Sequence, residues 1–540
     1  MKKKLIILPL MAVLLFFMSA AFWGINVKAE ETDAGLIDYG ACGVMHYAKY
    51  EFEADESVQY RLYKDGTMII SGSGEMGDFD SWKEGSHTWY RRKELIPWYD
   101  YRDEIRKVIV EEGVTTIGSA AFYGCKNLES VQWADSINLI GDRAFYNCKS
   151  LKSIPWTDCI EELGDSVFQK CSSLKEIRVP SYIKIWYFDV FAECTGLRKV
   201  SFDRDFQFLP LEYGEGYYGE GMFRDCTTLE EIVLPENMQV IPSYFVEGCT
   251  ALKTFRIPDN VIYWGSCPPS LCRGKYVLPD SVQKLGDGAF SGCSDLEELI
   301  LPNGLVYMGM AFEGCSSLKT VEIPESVKEF KMTFYNCTGL ESIVIPDTVK
   351  KGLSVFNPYA EGGVFEGCSN LKSAVLPNNL ESVGVYLFRN CTSLKEIKLP
   401  TNLKKIKQNA FSGCSSLTDI KIPDTVEHIR NSAFSGCKSL KKIKLPLNLK
   451  FNGLGNSVFS GCTSLKKADI PKGVEVLYDE AFYNCKSLKK LTVRAEEFRF
   501  YGKDIFYGCK NVVIYLPEGS IDKHKILKER PEIEDIRPIR

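Results

Sequence analysis

Twenty cysteines are the chain's largest stock of reactive side chains. Thiols can pair as disulfides, hold soft metals or act as nucleophiles. Their spacing argues against all three. Seventeen recur in register, from Cys125, Cys148, Cys171 and Cys194 through to Cys462, Cys485 and Cys509. Nine of the sixteen intervals are 23 residues, five more lie between 21 and 25, and two are 32 and 31. Cysteines in a repeat register stack with their side chains pointing one way, which is poor geometry for bridging. They read as buried thiols acting as small apolar groups. Cys42, Cys159 and Cys267 lie outside the register and are the ones to watch for pairing. The four histidines, His46, His87, His428 and His524, share no metal-binding spacing. The sequence contains no H-E-x-x-H, no C-x-x-C and no G-x-S-x-G. Gly72, Gly74 and Gly77 match G-x-G-x-x-G, but DFDSWKEG follows where a dinucleotide fold needs a helix. A glycine-rich turn is the expectation there. No catalytic residue, cofactor or metal is expected.

A period of 20–29 residues signals a solenoid, in which each repeat buries its apolar face against its neighbours. The copy from Cys414 reads CSSLTDIKIPDTVEHIRNSAF. Leu417, Ile420 and Ile422 suit a short strand with one buried face. Pro423 ends it, because proline cannot donate to a ladder. Val426 and Ile429 suggest a second, shorter strand or turn. Ala433, Phe434 and Cys437 fill a tight corner that Gly436 permits.

Residues 1–29 read as an export signal: Lys2–Lys4, an apolar run from Leu5 to about Trp23, then Val27 and Ala29 at a cleavage pattern. An uncleaved anchor is the rival reading. Removing the four lysines of that segment leaves 62 basic against 71 acidic residues, about −9, which argues against nucleic-acid binding.

The segments AFYGCKNLESV, AFSGCSSLTDIKIP and AFYNCKSLKKL resemble the BspA-type leucine-rich repeat. The resemblance spans about residues 105–517 in about 17 copies, of which the one at Cys272 is degenerate. It implies a leucine-rich-repeat solenoid: right-handed, β-rich, with short parallel strands, turns and little helix. A small β-rich N-terminal cap is expected over 30–104, with Trp82, Trp89 and Trp98 in its core. Residues 518–540 are expected to close the array, with a short helix near Ser520–Glu529 and a final strand. The family resemblance further implies a secreted or cell-surface protein that binds a macromolecule.

Equivalent positions of a repeat form columns in space. The outward column of the first strand reads Gln132, Pro155, Arg178 and Ser201, then Val233, Arg256, Val277, Ile300, Glu322, Val344 and Val375, then Lys398, Lys421 and Lys444. Val233, Val277, Ile300, Val344 and Val375 make either a hydrophobic docking strip or a row of residues that merely suit strands. The lysines, with Lys442, Lys467 and Lys490 beside them, make either an anion-binding stripe or a solvated mixed-charge face. The two long intervals hold insertions, Pro210–Gly221 and Ser354–Gly363. Their rings Tyr213, Tyr217, Tyr218 and Tyr359 either face a partner or pack back on the solenoid. Trp133 and Trp156 fall in core slots. The functional expectation is an exported, monomeric protein binding an extracellular protein or glycan, in adhesion. It would bind no nucleic acid, and would meet a membrane only through an uncleaved signal. A structural envelope component is the alternative. An enzyme would need a convergent acid/base pair, and none is visible by spacing.

Overall fold

A computed structural model describes residues 35–48, 51–54, 56–79, 81–82, 89–90, 95–210, 218–353, 362–450, 454–521, 527 and 529–539. Its repeats form a β-solenoid of about 18 turns with almost no helix. The expected signal segment, 1–29, lies outside the described residues.

Most turns carry two short parallel strands, and in several a single bridge or an irregular stretch replaces one of them. In the turn after Cys414, Leu417, Ile420, Val426, Ile429, Ala433 and Phe434 are all buried, while Lys421 points to solvent. His428–Ile429 forms the second strand and pairs in parallel with Lys405–Ile406 of the preceding turn. Gly436 closes the corner at φ +74°, a left-handed conformation that glycine adopts without strain.

The phenylalanine of each turn stacks on the next. From Phe290 to Phe506 the rings follow one another with centroids 5.1–6.1 Å apart and nearly parallel planes. Phe122, Phe145, Phe168, Phe191 and Phe223 make a second such stack. Trp98 heads that stack, 5.6 Å from Phe122, and its indole N–H donates to the Ala121 carbonyl at 2.9 Å. Trp133 is buried and Trp156 packs against the core.

The cysteines run beside the rings, and they do more than fill space. In thirteen turns the thiol donates to the carbonyl of a phenylalanine one turn back, at 3.0–3.3 Å. Cys414, for example, bonds Phe388 O, which also accepts the Cys391 N–H. Burial pushes these thiols well above their ordinary pKa, to about 12 at Cys194.

The degenerate copy departs from the pattern. Pro269 stands where a phenylalanine is due, so the ring column stops at Phe245 and resumes at Phe290. Trp264 and Tyr276 fill the gap against Phe290. Cys267 and Cys272 are bridged to each other there. The expectation that register cysteines stay unpaired therefore fails at Cys272. Without the ring, the corner is free to take another shape, and Cys267 approaches from the same turn instead of from a neighbouring rung.

At the N-terminus, the strands Leu36–Ala41, Val58–Tyr63 and Thr67–Gly72 form an antiparallel meander. Its last strand pairs in parallel with Lys107–Val110, the first repeat strand, and so covers that sheet edge. The glycine run is structural. Gly74 N–H donates to Gly113 O, and a Cβ on Gly72 would lie 2.1 Å from Ser57 O. At the far end, Val512–Leu516 pairs with Ile533–Pro538. Glu518–Ser520 is a single 3-10 turn. Residues 522–526 and 528 of the expected terminal helix lie outside the described residues.

The two strand ladders are interrupted at different turns. The first breaks after Ser130–Trp133, where Pro155 stands in the next turn, and again between Thr254–Phe255 and Gly274–Val277. Across those breaks the second ladder is continuous, over Thr116–Trp186 and Val240–Phe330. The second ladder breaks between Trp186 and Val240, around the first insertion, where the first ladder runs unbroken from Glu176 to Phe255.

Candidate binding face

On most first strands the two inward residues pack on the core, and the residue between them faces out. Val233, Val277, Ile300, Val344 and Val375 all take that outward position and are 48, 56, 41, 63 and 52% exposed. Val277 pairs with Ile300 in register, and Val344 with Val375. Arg256 and Glu322 interrupt the row. At about 4.8 Å per strand the row from Val233 to Val375 covers roughly 30 Å. Twelve large apolar side chains are exposed among the described residues, and five of them belong to this one row.

The row continues into charge. Val375 pairs with Lys398, and Lys398 with Lys421. Lys444 follows, in register with Asp469, Thr492, Tyr515 and Arg537. Lys442, Lys467 and Lys490 form a parallel row beside it. Of these side chains, Lys442 is held by Asp419 at 3.5 Å, and Lys490 lies over the Tyr515 ring at 4.3 Å.

At the insertion edge, one of the two alternatives holds for Tyr218. Tyr218 is 8% exposed and packs edge-to-face on Tyr187, 5.3 Å between centroids. The reading that turns its ring toward a partner is corrected: the apolar ring is covered by the solenoid wall. Tyr213, Tyr217 and Tyr359 lie outside the described residues. The foot of the second insertion is anchored by Glu366, a buried carboxylate that is ion-paired to Arg389 and accepts the Gly363 N–H at 3.1 Å.

Beside the first insertion lies an acidic group that the sequence did not advertise. Burial, and then the Asp287 carboxylate, push Glu220 up to about 7. Asp287 is paired with Lys331 and Asp189 with Arg224, each at 2.7 Å. Its members are scattered from residue 189 to 331, so no local motif could reveal it. The sulfurs of Cys267, Cys272 and Cys293 lie within 4.8 Å of one another. Two of them are bonded to each other.

A family model described as BspA type leucine-rich repeat region, in 6 copies, matches residues 98–212, 211–268, 269–357, 361–489 and 449–525. The chain belongs to the BspA-type leucine-rich-repeat family. No curated protein matches it. Among solved structures, this BspA-type chain is similar to a leucine-rich repeat protein from Eubacterium ventriosum, at 20% identity and a TM-score of 0.43, over 75% of this chain and 93% of that one. It is similar to another from Bacteroides ovatus, at 23% identity and a TM-score of 0.35, over 91% and 100%. A leucine rich cell surface protein from Faecalibacterium prausnitzii matches at 20% identity and a TM-score of 0.25, over 89% and 97%.

Proposed function

We propose that this BspA-type protein is exported, stands at the cell surface and binds a macromolecular partner there, in adhesion, through the outward face of its first strands. The observation that carries this reading is the exposed row Val233, Val277, Ile300, Val344 and Val375. Apolar residues occupy the outward slot of the second strands as well, Ile185, Tyr307 and Val476 among them, but those are only half-exposed, whereas the five of the first strands lie open to solvent in a column that then changes to lysine. Leaving that much apolar surface in water has a cost that a partner would remove. Family membership and the basic-then-apolar residues 1–29 support export.

The test is Val344→Lys with Val375→Lys in the secreted chain, assayed for attachment to an array of host proteins and glycans. Both positions are solvent-facing, so the variant should melt within a few degrees of the parent. Loss of attachment supports the reading. Undiminished attachment, or retention of the parent protein with the envelope through a salt wash while it binds nothing on the array, would sink it in favour of a structural component.

A further inference from the structure

The last turns of the first ladder hold a trough of about 1300 Å³ on the outward face. Seven cations line it: Lys421, Lys442, Lys444, Lys467, Lys490, Arg494 and Arg537. Only two carboxylates do, Asp419 and Asp469. Both are engaged, Asp419 by Lys442 and Asp469 by both arms of Arg494 at 2.7 Å. Arg537 is held by Asp535 at 2.8 Å. Lys421, Lys444 and Lys467 have no ion-pair partner among the described residues and are exposed. The chain as a whole carries a net charge of −5, so this concentration of positive charge is local.

We propose that this trough binds a linear anionic polysaccharide, one carrying a carboxylate or sulfate on each successive sugar. The proposal rests on the partner-binding reading above and names the chemistry taken by its C-terminal end. Three features select this class. First, the cations are periodic. The three lysines without an ion-pair partner, Lys421, Lys444 and Lys467, sit on successive turns, which puts one such charge about every 4.8 Å along the trough, close to the length of one pyranose unit. Second, the backbone under the trough is committed to the ladder, so it offers no nest of free N–H groups for a compact phosphate. Third, the aromatic ring lining the trough, Tyr515, has a face covered by the Lys490 ammonium. Single-stranded nucleic acid needs open rings to stack upon.

The experiment uses the whole secreted chain and three probes of equal length: a polyuronate, a sulfated glucan and a neutral glucan. Polyuronate or sulfated glucan should bind, and affinity should fall steeply from roughly 0.05 to 0.5 M salt. Lys467→Gln should weaken binding about two- to five-fold, as for one exposed charge contact. Lys421→Glu, Lys444→Glu and Lys467→Glu together should abolish it with an unchanged melting temperature. Preference between the two charged probes tells carboxylate from sulfate. Binding that is equal for the neutral glucan, indifferent to salt, or unaffected by the triple reversal overturns the proposal. So does tighter binding of single-stranded DNA of matched charge. If no charged glucan binds while the Val344/Val375 variant still loses attachment, this proposal fails alone. If that variant keeps attachment as well, the reading beneath it fails too.

Discussion

Replacing Cys414 with alanine tests how the thiol ladder stabilises the solenoid. Its side chain is fully buried, and its thiol reaches Phe388 O at 3.1 Å. Deleting the sulfur forfeits about 1 kcal/mol of transfer free energy. A void of roughly 25 Å³ adds about 0.6 kcal/mol at the usual cavity cost. The lost S–H bond adds about 0.5 kcal/mol. It adds no more, because Phe388 O keeps the Cys391 N–H and is never orphaned. The expected cost is therefore about 2 kcal/mol, mostly packing. Cys414→Ser supplies a donor, but on a shorter bond and in an apolar slot, so it should be no more stable than the alanine variant. Native-state amide exchange is the right assay, since repeat arrays open locally. Protection should fall for amides near Phe388–Leu417 and stay unchanged near Leu151–Leu174. An alanine variant within about 0.5 kcal/mol of the parent would refute the packing argument. A serine variant more stable than alanine by over about 1 kcal/mol would show that the hydrogen bond dominates.

Two further outcomes follow from buried carboxylates. Glu220 has its pKa raised, so its folded form holds the proton more tightly than the unfolded chain. The stability this brings is present below about 4.5 and is lost as pH rises through about 7. Glu220→Gln should match the parent in acid and exceed it by about 1–2 kcal/mol above pH 7, after discount for partial exposure; a constant difference across urea melts from acid to neutral pH would reject this. Arg389→Met strands the Glu366 carboxylate in the wall and should cost about 3 kcal/mol or more. Adding Glu366→Gln should recover much of that loss, and a double variant no better than the single one would refute the pairing argument.

The repeat and its strands were legible because one residue type, cysteine, recurs in register, because Ile420 and Ile422 follow the strand period, and because the apolar slots at Leu417, Val426 and Ile429 return from copy to copy. Pro423 and Gly436 marked where strands and corners end. What escaped the sequence depends on contacts between turns. The S–H bonds need the phenylalanine carbonyl of the previous turn to be aimed at the thiol, and no side-chain pattern encodes that. The Cys267–Cys272 bridge arises because Pro269 removes a ring, a local failure of the pattern that a count of register positions passes over. Tyr218 belongs to an insertion rich in glycine and tyrosine, whose composition does not say which face its rings take; Tyr187, 31 residues upstream in another turn, decides it. The outward columns could be listed from sequence, yet their exposure could not. Nor could sequence tell which lysines of the trough Asp419 and Asp469 leave unneutralised.

The offset between the breaks in the two strand ladders has a mechanical consequence. It is the arrangement of bricks in a wall, where each joint is spanned by a whole course above or below. Where Pro155 or the Gly274 turn opens one ladder, the other carries load across the joint. The first insertion sits in a joint of the second ladder, so a loop could be threaded into the rod there without giving it a hinge. A force applied along the face would then be borne as shear by at least one unbroken ladder at each of these joints.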